Sequence, residues 1–206
     1  LKTLAILGAS GHGKVVADAA LSTGIWQQVI FYDDAWPTKT KNGQSDVVGN
    51  TQTLLNLQQK PEVVVAVGNN KTRLAKQNDL IVQGFTIATV VHSNTVISPS
   101  VKMGHGTVVM AGAVISADVS IGDACIINTN AVVEHDCMLG NAVHISPGAC
   151  LAGAVIIGDG SWIGIGASVI QLKKLGINVM VGAGAAVVTD LPNGVTAVGV
   201  PARILK

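Results

Sequence analysis

Every sixth residue from Ile97 to Val187 is a large aliphatic, in the order Ile97, Met103, Val109, Ile115, Ile121, Ile127, Val133, Leu139, Ile145, Leu151, Ile157, Ile163, Val169, Leu175, Val181 and Val187. In a chain that is half apolar, chance produces such an unbroken series about once in 10⁵ trials. A period of six fits neither the 3.6-residue helix nor the two-residue strand. It marks a parallel β-helix, in which short strands wind into a prism. Three hexads to a coil give about five coils.

The residue four after each aliphatic is small or β-branched, as in Thr107, Ala113, Cys125, Ala131, Cys137 and Ala149. It is read as a second inward position, close to a corner where room is short. Glycine often follows the aliphatic directly, as at Gly104, Gly122, Gly140 and Gly158. These glycines are expected to supply the backbone angles of the corners. Aromatics make up only 3% of the chain and charged residues 12%, as a narrow, stacked prism requires. The stretch from Cys137 to Gly158 has no Asp, Glu, Lys or Arg. It keeps the six-residue rhythm and contains Asn141, His144, Ser146 and Pro147, so it is solenoid core and not a membrane span.

A net charge of +1 without a basic run points away from nucleic acid. The start, Leu1-Lys2-Thr3, lacks a charged-then-apolar secretory segment, so a cytoplasmic location is expected. The three cysteines are odd in number. Cys125 and Cys137 are twelve residues apart, not the eighteen that would stack them on adjacent coils. Neither a disulfide framework nor a Cys-based metal site is expected.

Residues 1–92 show no hexads and are assigned to a separate α/β domain, with the solenoid domain spanning 93–206. Thr3 to Leu7 reads as a buried strand, followed by Gly8-Ala9-Ser10-Gly11-His12-Gly13 and a helix over Lys14 to Leu21. Val29 to Tyr32 is a second strand, ending in Asp33-Asp34. Thr51 to Gln59 reads as helix, Val63 to Val67 as strand, Lys71 to Gln83 as helix and Phe85 to Val91 as a last strand. The alternation implies a parallel sheet covered by helices, Rossmann-like in kind. Ligands of such sheets bind beyond the carboxyl ends of the strands. The loops Gly8 to Gly13, Asp33-Asp34 and Gly68 to Asn70 fall there. The glycines run G-x-x-G-x-G, which is not the dinucleotide fingerprint, but a glycine-rich turn into a helix still offers N–H groups to a phosphate.

Among five histidines, His135 is flanked by Glu134 and Asp136 and lies two residues after an inward valine, at a coil edge. A carboxylate on one ring nitrogen fixes the tautomer and raises the basicity of the other. The sequence leaves open which neighbour does so. His144, half a coil onward, is a ligand contact or a polar face residue. His105 is read as a corner residue.

The Gly-Ala-Ser-Gly-His-Gly loop, Asp33-Asp34, Gly68-Asn69-Asn70, the hexads, the Glu-His-Asp insert and the closing Gly199-Val200-Pro201-Ala202-Arg203 occur in one order. In that combination the chain resembles the sugar acetyltransferases typified by PglD and NeuD. The resemblance implies a left-handed β-helix, an exception to the usual crossover hand. It also implies a homotrimer, with acetyl-CoA as co-substrate bound between neighbouring prisms and no metal. By the same resemblance His135 is the general base and Asp136 its partner. His144, Ile165 and Ala183 line the acetyl-CoA site, with alanine at 183 where relatives often have glycine. Ser10, Gly11, His12, Asp33, Asp34 and Gly68 hold the nucleotide sugar.

The implied reaction is direct N-acetylation of the 4-amino group of a nucleotide-linked, UDP-type amino sugar for bacterial surface glycans. Three alternatives stand beside it: O-acetylation of a sialic acid, a metal-dependent carbonic anhydrase on the same solenoid, and a trimeric nucleotide-sugar-binding scaffold without catalysis. The carbonic anhydrase needs three converging histidines, which the thirty- and nine-residue histidine spacings do not offer.

Overall fold

The computed structural model describes residues 1–205. Contacts divide the chain into two compact units, the first ending at Ser93 and the second beginning at Asn94.

In the first unit, β1 (Thr3–Leu7) runs into α1 (Gly11–Ser22), then β2 (Gln28–Tyr32). A short hairpin follows, β3 (Lys41–Asn42) and β4 (Ser45–Gly49), then α2 (Thr51–Leu55), β5 (Glu62–Val65) and α3 (Asn70–Val82). The sheet order is β3-β4-β2-β1-β5. β1 pairs in parallel with β2 and β5, and β2 with β4, while β3 is antiparallel to β4. All three flanking strands of the glycine loop therefore end at the same edge. Ala5, Leu7, Tyr32, Leu54, Val63, Val65 and Leu80 pack into its core.

Several boundaries differ from expectation. α1 begins at Gly11, inside the glycine loop, so the loop itself forms the first helical turn. α2 stops at Leu55, although Leu57 still packs against the core. The expected strand over Phe85 to Val91 shrinks to a bridge at Ile87 and the pair Val90–Val91. The hairpin of β3 and β4 carries no run of strand-forming residues long enough to announce itself.

The second unit is a prism of two-residue strands. One face stacks Val96–Ile97, Val114–Ile115, Val132–Val133, Cys150–Leu151, Ser168–Val169 and Ala186–Val187. The second stacks Lys102–Met103, Ser120–Ile121, Met138–Leu139, Ile156–Ile157 and Lys174–Leu175. The third includes Val108–Val109, Ile126–Ile127, His144–Ile145, Trp162–Ile163 and Met180–Val181. Neighbours in every stack are parallel and one 18-residue coil apart, the separation of the His105–Asp123 bond between adjacent coils. From Val109 onward each aliphatic of the hexad series is buried, while Ile97 and Met103 are half-buried. The second inward position is also buried from Thr107 to Ala167. Where it is polar it stitches coils together: Thr107 Oγ1 donates to Gly122 O (2.9 Å) and Ser161 Oγ to Gly176 O (2.9 Å). Met180–Val181 pairs with Thr196–Val198, and the antiparallel strand Arg203–Ile204 closes that edge.

The glycines after each aliphatic do not make the corners. The left-handed residue lies two positions further on, at every sixth residue from Gly106 to Gly184, and eight of these are not glycine. The glycines answer a different need. A Cβ at Gly104 would lie 2.3 Å from Asp123 Oδ1, at Gly122 2.7 Å from Asn141 Oδ1, and at Gly140 2.1 Å from Asp159 Oδ1. Each of those oxygens accepts a backbone N–H of the coil before it: His105 N (2.8 Å), Asp123 N (2.9 Å) and Asn141 N (2.7 Å). One corner of the prism is thus a ladder of Asx side chains resting on glycines.

Candidate active site

Gly8, at the end of β1, has φ +115°, and a Cβ there would meet Ala66 O at 2.6 Å. Gly13 packs on Gly8 O, where a Cβ would fall at 2.2 Å. The fold needs both glycines. Gly11 and Gly68 are different: each has open space where a Cβ would stand, and neither has a left-handed φ. Ser10 is the N-cap of α1, yet its side chain makes no capping bond. The first amides of α1 thus have no side-chain cap, and its first residue is a glycine with open space, a combination that suits a phosphate.

Asp33 is not a free acid at a turn. Its Oδ2 accepts from Ala9 N (2.6 Å) and its Oδ1 from Ala35 N (2.9 Å), so it holds the glycine loop. Asp34 accepts from Thr51 N (3.0 Å) and pairs with Lys76 Nζ (2.9 Å). Partial burial opposes its charge, but the bonds from Thr51 and Lys76 outweigh that and hold its pKa at about 2. Leu7, Gly8, Asp33, Asp34, Val67 and Lys76 line a pocket of about 110 Å³ at the carboxyl ends of β1, β2 and β5. His12 projects from the first turn of α1. Burial, then the nearby Arg73 charge, lowers its pKa to about 4, so its ring is neutral at pH 7. Its Nε2 is buried without a hydrogen-bond partner among the described residues.

Arg73 carries no sequence motif, yet it organises this edge. It is 1% exposed, and its guanidinium donates to Val67 O (2.9 Å), Gly68 O (3.1 Å) and Asn70 Oδ1 (2.8 Å). Nothing in the sequence singles it out. Asn42, in the hairpin, is also buried and donates to Ser10 O (3.2 Å).

In the solenoid, His135 and Asp136 sit at the corner joining the first face to the second. Asp136 is one of the left-handed corner residues, with φ +62°, a conformation that Asp tolerates better than most residues. The corner turns its carboxylate onto the preceding ring, and Oδ2 lies 2.8 Å from His135 Nδ1. Glu134 turns instead to Ser116, whose Oγ donates to Oε2 at 3.1 Å. Asp136 is therefore the partner of His135. Its hydrogen bond is the main cause that raises the His135 pKa, and both side chains are exposed. The partnership leaves Nε2 as the basic nitrogen. Cys137, two residues on, points into the prism, where its thiol donates to Ala152 O (3.2 Å). Burial raises its pKa, so it is unsuited to nucleophilic attack.

His144 lies on the third face and is 8% exposed. Its ring stacks on Trp162, centroids 4.8 Å apart, and Nε2 is 3.2 Å from Asn128 Nδ2. Trp162 Nε1 donates to Ser146 Oγ at 2.7 Å. Ile165 and Ala183 are exposed, one coil apart, on the corner between the third face and the first, where Gly184 N donates to Ile165 O. His144, Ile165 and Ala183 thus lie on or beside one edge of the prism. His135 and Asp136 occupy the corner opposite the third face. His105 is an exposed residue of the remaining corner. The described residues contain no group of three or more His, Cys, Asp or Glu able to hold a metal ion. No helix among them is long and apolar enough to cross a membrane.

Residues 3–80 match the PglD N-terminal domain. The acetyltransferase domain of PglB from Neisseria gonorrhoeae, solved in complex with acetyl coenzyme A, is 42% identical over 99% of each chain, with a TM-score of 0.95. PerB from Caulobacter crescentus, solved with CoA and GDP-perosamine, is 39% identical over 100% of this chain and 98% of its own, with a TM-score of 0.95. The UDP-N-acetylbacillosamine N-acetyltransferase of Bacillus subtilis is 40% identical over 110 residues, which is 52% of this chain and only half of that relative. An α/β region followed by a left-handed β-helix is the shared architecture. The chain belongs to the hexapeptide-repeat acyltransferases of the left-handed β-helix fold, the family of PglB and PerB and relatives of PglD.

Proposed function

We propose that the protein is an acetyl-CoA-dependent N-acetyltransferase acting on a nucleotide-linked amino sugar. The observation that carries the reading is the exposed His135–Asp136 pair at 2.8 Å, in a chain alike over its whole length to an enzyme solved with CoA and GDP-perosamine. The first unit, expected over residues 1–92, binds the nucleotide sugar. Ser10, Gly11 and His12 take the phosphates and sugar at the start of α1. Gly68 leaves room for close approach, and Asp33 and Asp34 shape the pocket. The solenoid binds acetyl-CoA along the edge of His144, Ile165 and Ala183, whose exposed apolar corner suits a pantetheine arm.

Acetyl transfer is direct. The sugar's 4-amino group attacks the thioester carbonyl, His135 Nε2 takes the amine proton, and the CoA thiolate leaves. Asp136 stabilises the imidazolium that results. Because His135 and His144 lie on opposite sides of one prism, a site that uses both is assembled from two chains, and a closed homotrimer supplies three such sites. The experiment is a panel of UDP- and GDP-linked 4-amino sugars with acetyl-CoA, following thiol release. His135→Ala is expected to lower kcat roughly 10²–10⁴-fold while folding normally. Near-full turnover in that variant would overturn the assignment.

A further inference from the structure

Gly153 stands one coil beyond His135, in the same column of the same corner. It is buried, and its φ lies outside the left-handed region. The fold therefore does not need glycine here for a turn. What occupies the space of its missing side chain is the His135 imidazole. A Cβ on Gly153 would lie 2.5 Å from His135 Cε1, 2.6 Å from Nε2 and 3.2 Å from Nδ1. All three nearest atoms belong to the ring. At the same time His135 O accepts from Ala154 N at 2.8 Å, so the histidine's backbone is tied to the coil on which its ring rests. The ring has two supports. Asp136 holds Nδ1 from one side, and the bare Cα of Gly153 receives the edge that carries Cε1 and Nε2.

We propose that Gly153 is the positioning residue for the base: its lack of a side chain sets where Nε2 stands while Nδ1 remains on Asp136. This rests on His135 being the general base. Any side chain at 153 moves the ring outward. Nε2 then leaves the line of the attacking amine, the Nδ1–Asp136 bond stretches, or both occur. A displacement of about 1 Å at a reacting group is enough for a loss of up to 10²-fold. Sequence inspection of the Glu-His-Asp insert alone does not reach this residue, because it is eighteen positions away.

The test is a double-mutant cycle of Gly153→Ala and His135→Ala, with kcat, both KM values and thermal unfolding measured for each variant. Gly153→Ala is expected to lower kcat at least tenfold, with both KM values within about threefold of the parent. The acid limb of its kcat/KM profile should move to lower pH, because a weakened Asp136 bond lets the His135 pKa fall back. In the His135→Ala background, Gly153→Ala should cost nothing further. Unchanged kcat in the single variant overturns the proposal, as does an equal loss in both backgrounds. Loss of folding shared by the single and double variants does so too, since the clash is absent when the ring is absent. If His135→Ala alone keeps its activity, the base assignment fails instead, and the two failures are told apart.

Discussion

At the scale of the residue, chemistry is set by which partner each titratable group finds. His135 owes its raised pKa first to the Asp136 hydrogen bond. Asp136→Asn is accordingly expected to lower kcat and to move the acid limb of the kcat/KM profile to lower pH, since less alkali is then needed to free the base. A limb that stays in place would show that Glu134, bonded to Ser116, supplies the field instead. His12 works in the opposite sense. Its pKa is about 4 in the folded chain against an ordinary value near 6.5. The unfolded chain therefore binds more protons between those values, and stability falls as pH drops from about 6.5 through 4. The cost of full protonation is on the order of 3 kcal/mol. Urea unfolding followed across that window should show the loss, and His12→Asn should flatten it.

At the scale of the element, the same substitution has opposite meanings at two glycines. Gly140→Ala drives a methyl into Asp159 Oδ1 and its backbone N, wedging adjacent coils apart. A loss of roughly 1–3 kcal/mol in urea unfolding is expected. Gly11→Ala meets nothing, so stability should hold or rise slightly while KM for the nucleotide sugar increases. A stable Gly140→Ala and an unstable Gly11→Ala would reverse the reading. These cases also show what was legible in the residues. The hexads gave the inward set and placed Cys137 inside and His135 at an edge. They misassigned the corners, because the left-handed positions hold Asp118, Ala124, Asn130 and Leu172 as well as glycine. Most of these positions hold Gly, Asp or Asn, which favour that conformation locally, but stacking also imposes it on Ala124, Ala142, Ala154 and Leu172, so the corner column is marked only in part. The loops at the strand ends were visible by their glycines. Arg73 and Asn42 were not, since a buried polar side chain is recognised only by the carbonyls it meets.

At the scale of the whole molecule, the proposed site, which uses two histidines on opposite sides of the prism, makes activity a property of an assembly. A chain carrying His135→Ala and a chain carrying His144→Ala should each be weak alone. Co-expressed, they should regain activity, because one chain's intact His135 then meets the other's intact His144. No recovery in verified mixed oligomers would place each site within a single chain. The regular coil also turns sequence length into an address. Six residues inserted between Leu139 and Ile145 would rotate everything downstream by one side of the triangle, turning the Ile165–Ala183 edge to a different side. Eighteen would add a storey and leave every edge facing as before. Length change in such a chain is therefore quantised, and only whole storeys keep the edges in register.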